Sequence, residues 1–431
     1  MSLSIDRHRR RAVAVALPVV AGLLLAACGG GSDSGSSGGA EPQSITFSYA
    51  SSNTTETAYE ELAKEYMAAH PGVEIKTNRI ALDSYNQTMS TQMQAGSGPD
   101  VMYINAGSGQ AASIGQFGKA GLLLQLDEGV AADIPEAQMA GYSYQDKLFG
   151  LPSSTAVDGI VYNDEVARQN GVTIDASASL NDVTGQCGKV KAGGKSIFGL
   201  AGSISANTGI LGVQLATSTV YGPNPTWNQD RADGKTTFAD TPGWHDALQA
   251  IVDMNDAGCF QDGAAGAGFD ALTNGSSTGQ LFGFFAPSGA AKDIMDAAGG
   301  AVKLVAMPIP APQGTQTYLT VSANQGLAGN AKTKSPKLVS DFLAFSVSPE
   351  AAKTFAAAQG SIPVGKVDAA SLLPQYQPIE ALLTAEQYQP FAVDGWPNGQ
   401  VYDALGTGVT GLLTGQNSID DVLANMDSAW G

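Results

Sequence analysis

Strand and helix patterns alternate at short intervals between Ile45 and Leu123, and this rhythm restricts the fold more than any other feature of the 431-residue chain. Ile45-Thr46-Phe47-Ser48-Tyr49-Ala50 alternates apolar and polar residues, the period of a strand with one buried face. Thr57 followed by Glu60 makes a capping box. Tyr59, Leu62, Ala63, Tyr66 and Met67 then recur at helical spacing until Pro71-Gly72. Val73 to Lys76 reads as a second strand, and Ser84 to Ala95 as a second helix with Tyr85, Met89 and Met93 on one stripe. Gly96-Ser97-Gly98-Pro99 breaks it. Asp100 to Asn105 reads as a third strand, and Ile114 to Leu123 as helical. Such alternation implies an α/β sheet with parallel strands. Ligands of such sheets bind beyond the carboxyl ends of the strands. That singles out Ser51, Ser52 and Asn53 after the first strand, and Asn105 to Ser108 after the third.

The stretch Leu148 to Asn163 reads as a strand that leaves one domain and enters another. An aromatic-Gly turn leads into Leu151-Pro152, and Ser153-Ser154-Thr155 precedes the β-prone run Ile160-Val161-Tyr162-Asn163. On this reading the three polar side chains sit at the floor of a cleft. An ordinary hairpin within one domain is the alternative.

The N-terminus reads as targeting, not fold. Arg7, Arg9, Arg10 and Arg11 precede an apolar run, Ala12 to Ala26, that is short for a permanent span. It ends in Leu25-Ala26-Ala27-Cys28, which resembles the lipobox of bacterial lipoproteins. The resemblance implies removal of residues 1–27 and lipidation of the Cys28 sulfur. Residues 28–43, rich in Gly and Ser, then form a flexible tether. They are not a phosphate loop, since no strand precedes them and no Gly-Lys-Ser/Thr follows. With Gly29 and Gly30 after the cysteine, the expected location is extracytoplasmic, lipid-anchored to the outer face of the cell membrane.

A net charge of −18 argues against nucleic acid or an anionic membrane surface as a partner. Only His70 and His245 remain once the leader is gone, which is meagre for metal or acid–base chemistry. No cofactor and no metal is expected. Gly275-Ser276-Ser277-Thr278-Gly279 matches a nucleophile-elbow pattern, but Ala271 to Asn274 is a poor strand to precede one. With Cys28 lipidated, Cys187 and Cys259 form an even pair in an exported chain, which favours a disulfide.

Several segments together resemble family 1 extracellular solute-binding proteins, the sugar-type receptors of ABC importers. Ala68-Ala69-His70-Pro71-Gly72-Val73-Glu74-Ile75 is similar to one family segment, and Gln94 to Val101 to another. Leu148 to Asn163 resembles the family crossover. Gly360-Ser361-Ile362-Pro363-Val364 resembles a late turn, and the four occur in the family's order. The resemblance implies a two-lobed periplasmic-binding-protein-like fold of type II. Each lobe is then a β-sheet flanked by helices, and the hinge is made of several crossover segments. Lobe 1 is expected at 44–152 plus 284–327, and lobe 2 at 153–283 plus 328–431. On this division Gln280 to Pro287 returns to the first lobe, and Tyr318 to Leu327 makes a third crossing.

A sugar-binding cleft needs aromatic faces and oriented polar groups. Candidates for stacking are Tyr85, Trp227, Phe285 and Trp396, the two tryptophans because they lie in turn-rich loops. Polar candidates are Ser52, Asn53, Asp83, Asp100, Asn105, Ser154 and Ser288. Tyr85 and Phe285 also suit a core, Asp100 also suits bracing the Gly-Pro turn, and Ser52 and Asn53 also suit capping the first helix. The expected function is a monomeric, membrane-anchored receptor. It would bind a mono- or oligosaccharide and deliver it to ABC permease subunits without catalysis. A lipoprotein enzyme acting on polysaccharide, a non-transport adhesin, and a receptor for a polyol or amino compound remain open.

Overall fold

The computed structural model of the chain describes residues 43–51, 57–134, 136–175, 177–323, 325–365 and 372–431. The leader, Cys28, nearly all of the tether, Ser52 and Asn53 lie outside the described residues. In chain order the strands begin with β1 (Ser44–Ser51), β2 (Glu74–Ala81), β3 (Val101–Asn105), β4 (Ser143–Tyr144), β5 (Lys147–Leu148) and β6 (Gly150–Pro152). They continue with β7 (Ala156–Tyr162), β8 (Ser196–Gly199), β9 (Leu281–Pro287), β10 (Val305–Met307), β11 (Leu319–Ser322), β12 (Gln325–Gly329) and β13 (Tyr388–Gln389).

Among the described residues these strands build two main sheets. The first has the order β2-β1-β3-β12-β6. β1 runs parallel to β2 and β3, as the alternation requires, because helices Ala58–Ala69 and Leu82–Ala95 make the crossovers. The capping box forms: Glu60 N donates to Thr57 Oγ1 and Thr57 N to Glu60 Oε2. β12 then pairs antiparallel with both β3 and β6. The second sheet has the order β13-β11-β7-β9-β8, with β10 also on β7. β7 is flanked on both sides and its residues are buried apart from Ala156.

Among the described residues the chain passes between the sheets three times, and the three passages lie side by side. The first runs from β6 through Ser153-Ser154-Thr155 into β7. The second links β11 to β12. The third runs through Ser361-Ile362, after helix Pro349–Gln359 packs on the first sheet. Ser153 N donates to Gln325 O at 2.9 Å, and Thr155 and Ile362 exchange backbone hydrogen bonds at 2.7 and 3.0 Å. Thus alternate amides of one short strand tie it to the other two crossings. This arrangement gives a two-lobed α/β fold with a hinge of several crossover segments.

Two expectations about the path are corrected. Gln280 to Pro287 does not return to the first sheet, because β9 inserts between β7 and β8. Helices Pro336–Ser346 and Pro349–Gln359 pack with the first sheet, not the second. Leu338, Val339, Phe342 and Phe355 join the core that contains Phe47, Tyr59 and Tyr66. Their apolar stripe fits the exposed edge of those aromatics, with Phe342 at 5.6 Å from Phe47 and Phe355 at 5.0 Å from Tyr59.

The larger core lies around the second sheet and gathers most of the tryptophans. Trp227 is 2% exposed and Trp396 fully buried, which corrects their expected display on loops. Trp227 opens a short helix, Trp227–Ala232, and packs against Phe238 and Trp244. Trp396 packs on Phe238, Trp244 and Tyr402. Local turn composition concealed this, because their burial depends on long-range packing against helices Pro242–Asp256 and Gly399–Thr414. The Cys187–Cys259 disulfide is formed, closing a separation of 72 residues between helix Leu180–Ala192 and the segment after Pro242–Asp256.

Candidate ligand-binding site

The central strand β7 carries one charged residue, Asp158, within an otherwise apolar run. Alternation along the strand puts Asp158 on the face of Ile160 and Tyr162. Asp158 is 2% exposed, and neither carboxyl oxygen has a hydrogen-bond partner in the protein. Burial pushes its pKa up to about 7. Across the ladder it faces Thr320 of β11, whose hydroxyl meets Thr217 Oγ1 at 2.7 Å. One turn before Thr217, helix Ser205–Ala216 carries Gln214, 3% exposed, with both ends of its amide unpartnered.

A second carboxylate comes from the turn Ala392–Gly395. Asp394 Oδ1 is buried and unpartnered, although the residue as a whole is partly exposed. Its pKa is pushed well above the usual range by burial first and by Asp158 second. Tyr103 and Tyr142, on the first-sheet side, are raised by burial and then by Asp394. Tyr402 is raised by burial and then by Asp158. Asp158 thus acts on Asp394 and Tyr402, and Asp394 on Tyr103 and Tyr142, so two carboxyl groups and three phenols share one electrostatic neighbourhood.

The hinge supplies the rest. Ser153 Oγ and Thr155 Oγ1 are buried without partners. Tyr59 OH points toward Ser153 and Gln359, at contacts that fall short of hydrogen-bond geometry. A folded protein pairs nearly all its buried polar groups. Six of the residues that keep unpaired atoms come from both halves and the hinge: Tyr59 from the first, Ser153 and Thr155 from the hinge, and Asp158, Gln214 and Asp394 from the second. The others among the described residues, Tyr162, Arg231, Trp244 and Ser276, belong to the second half. The unpaired atoms are mainly acceptors and hydroxyls, which suits a donor-rich, polyhydroxylated ligand.

The two halves meet beside this cluster. The loop after β3 reaches the Asp394 turn, with Ser108 N donating to Asp394 O at 3.1 Å. The approach is possible because Gly107 and Gly109 lack side chains. A Cβ would stand 1.9 Å from Asp394 O at Gly107, and 2.0 Å from Val393 O at Gly109.

The residues expected at the site are distributed as follows. Ser154 lies beside the cluster and donates to Gln359 Oε1 at 3.3 Å. Asn105 is buried and committed, donating to Asn86 Oδ1 and Ala112 O and accepting from Tyr103 OH. Asp100 braces the start of β3 by accepting from Thr46 and Thr333. Tyr85 is core, its hydroxyl donating to Tyr103 O at 2.7 Å. Phe285 packs between Phe198 and Phe260. Ser288 accepts from Val157 N and Tyr376 OH behind the hinge. Asp83 is exposed on its helix. With Trp227 and Trp396 in the core, none of these aromatics presents a free face. Sequence reasoning missed Tyr59, Asp158, Gln214 and Asp394. The available signal was a polar residue interrupting a buried pattern, as Asp158 does in β7 and Gln214 in Ile210–Ala216.

Gly275, Ser276 and Ser277 are the last turn of helix Phe269–Ser277 and no strand precedes them, so no nucleophile elbow forms there. Among the described residues no group of three His, Cys, Asp or Glu is placed to hold a metal. No helix among them is long and apolar enough to cross a membrane.

Two α/β halves, joined by three adjacent crossings and meeting over unpaired polar groups, define a hinged binding protein. Residues 50–353 match the family model of bacterial extracellular solute-binding proteins, and the chain belongs to that family. Solved structures share the fold. A chitin oligosaccharide binding protein aligns with a TM-score of 0.76 at 20% identity, over 90% of this chain and 98% of its own. A structure from work on xylan utilization by the thermophilic bacterium Caldanaerobius polysaccharolyticus aligns with a TM-score of 0.76 at 20% identity, over 89% and 99%. The GacH receptor of Streptomyces glaucescens, solved unliganded and with acarbose, aligns with a TM-score of 0.72 at 17% identity, over 89% and 97%.

Proposed function

We propose that this chain is a carbohydrate receptor of an ABC importer, holding its solute among Tyr59, Ser153, Thr155, Asp158, Gln214 and Asp394. The observation that carries the reading is the concentration of buried, unpartnered polar side chains where the two halves meet. Glycan hydroxyls would donate to the two carboxylates and the Gln214 carbonyl. They would accept from the Gln214 amide and exchange hydrogen bonds with the hydroxyls of Tyr59, Ser153 and Thr155. A solute touching both halves stabilises the closed form over the open one, so binding drives hinge closure. The carbohydrate ligands named for the similar structures, chitin oligosaccharide and acarbose, support this choice of solute. The receptor acts without turnover, is anchored through lipidated Cys28, and passes its solute to permease subunits as a monomer. The lobes follow the packing: one holds 44–152 with 325–359, the other 156–322 with 374–431.

The test is a thermal-shift screen of mono- and oligosaccharides, since a ligand that binds only the folded form raises stability by mass action. A glycan that raises the melting temperature in a saturable way supports the reading. Uniform silence across neutral and amino glycans, with a shift from another solute class, removes it.

A further inference from the structure

Ionised, the two carboxyl groups of the site would carry negative charge that the surrounding protein does not balance. Three carboxyl oxygens, both of Asp158 and Oδ1 of Asp394, are buried without partners. The groups facing them are themselves acidic or neutral: Tyr103 and Tyr142 toward Asp394, and Tyr402, with Asp403 beyond it, toward Asp158. No cationic side chain among the described residues acts on either carboxyl group. Elsewhere in the chain partly buried acids are matched, as Glu60 is by Arg79 at 2.8 Å and Asp427 by Arg231 at 3.3 Å.

We infer that the solute carries a protonated amine as well as hydroxyls, so that it is an amino sugar or an oligosaccharide containing one. The inference rests on the glycan reading given above. Neutral hydroxyls can fill the lone pairs of two carboxylates, but they leave two like charges together in a buried place. An ammonium brings up to three donors and the missing charge. It makes the short, charge-assisted contacts that a carboxylate accepts best. Burial raises both carboxyl groups, and Asp158 adds to the rise of Asp394. The same field disfavours uronic acids and phosphorylated sugars.

Calorimetric titration of the chain tests this with matched oligosaccharides of equal length, at a pH below the pKa of the sugar amine. The three probes are glucosamine oligomers with free amines, their N-acetylated counterparts, and plain glucose oligomers. The free-amine series is expected to bind roughly ten-fold or more tightly than either neutral series. Asp158→Asn and Asp394→Asn should each shrink that preference, with a thermal melt confirming that the variants fold. Should a variant not fold, the wild-type comparison decides alone. Neutral oligomers binding as tightly as the amine series overturn the inference and leave the glycan reading in place. Binding of none of the three overturns the inference, and the glycan reading falls with it only if the wider glycan screen is silent and another solute class shifts the melt.

Discussion

Replacing Gly109 by alanine should disable closure while leaving each half intact. Gly109 lies on the loop after β3, between Ala106 and Ala112 of the first core, and Val393 belongs to the second. An alanine Cβ at this position would lie 2.0 Å from Val393 O and 2.6 Å from Val393 Cγ1, where ordinary contact begins at 3.4 Å. The loop and the turn must therefore separate by more than an ångström. That also breaks the Ser108–Asp394 hydrogen bond and draws the Asp394 carboxylate away from the first-sheet tyrosines. Forced overpacking costs about 1–3 kcal/mol. The penalty falls on the closed form alone, so affinity should drop by about 5- to 150-fold. The unliganded protein can relax by opening, and its melting temperature should change little. Gly185→Ala is the control: it lies mid-helix in Leu180–Ala192 with no neighbouring atom within 4 Å. It should bind normally and gain about 0.5–1 kcal/mol of stability. Calorimetry with the best glycan from the screen reads the effect. Wild-type affinity in Gly109→Ala would refute the reasoning.

Asp158 predicts a pH dependence of the unliganded protein. Its folded pKa of about 7 lies above the unfolded value, so its protonated form favours folding. The stability it allows is complete below about pH 4 and is lost as pH rises through 7. The loss is at most about 4 kcal/mol, and less if opening lets water reach the carboxyl. Melts across this window should show the decline in wild type and a flatter profile in Asp158→Asn. Removal of the Cys187–Cys259 bridge by Cys187→Ser with Cys259→Ser should lower stability by about 4 kcal/mol in denaturant titrations. Trp396→Ala should destabilise by about 3–5 kcal/mol, because it empties a fully buried position beside Phe238, Trp244 and Tyr402. Near-normal stability with lost binding in that variant would return Trp396 to the ligand site.

The elements were largely legible because their signals are local. The capping box at Thr57 and Glu60, the prolines opening helices at Pro336 and Pro349, and the Gly-Pro break before β3 act within a few residues. The crossover at Ser153–Thr155 was also legible, since a polar interruption between two apolar strands marks a change of surroundings. Membership of a sheet was not. β9 is buried on both faces, and a continuous apolar run gives no sign of which sheet it joins. The site was the least legible part. The turn-forming neighbours of Trp227 and Trp396 point to display on loops, yet each is held by aromatics from other segments. Asp158 and Gln214 gained importance only when the fold left them without partners. A polar residue inside a buried pattern was visible in the sequence, but its lack of a partner is a three-dimensional property.

A crystal structure of the chain with a bound oligosaccharide tests the central claim most directly. The account predicts sugar hydroxyls or amines within hydrogen-bond distance of Asp158, Asp394 and Tyr59, between the two halves and against the hinge residues Ser153 and Thr155. A glycan seated elsewhere, such as the surface hollow beside Trp227 and Thr241, with those side chains untouched, would contradict it.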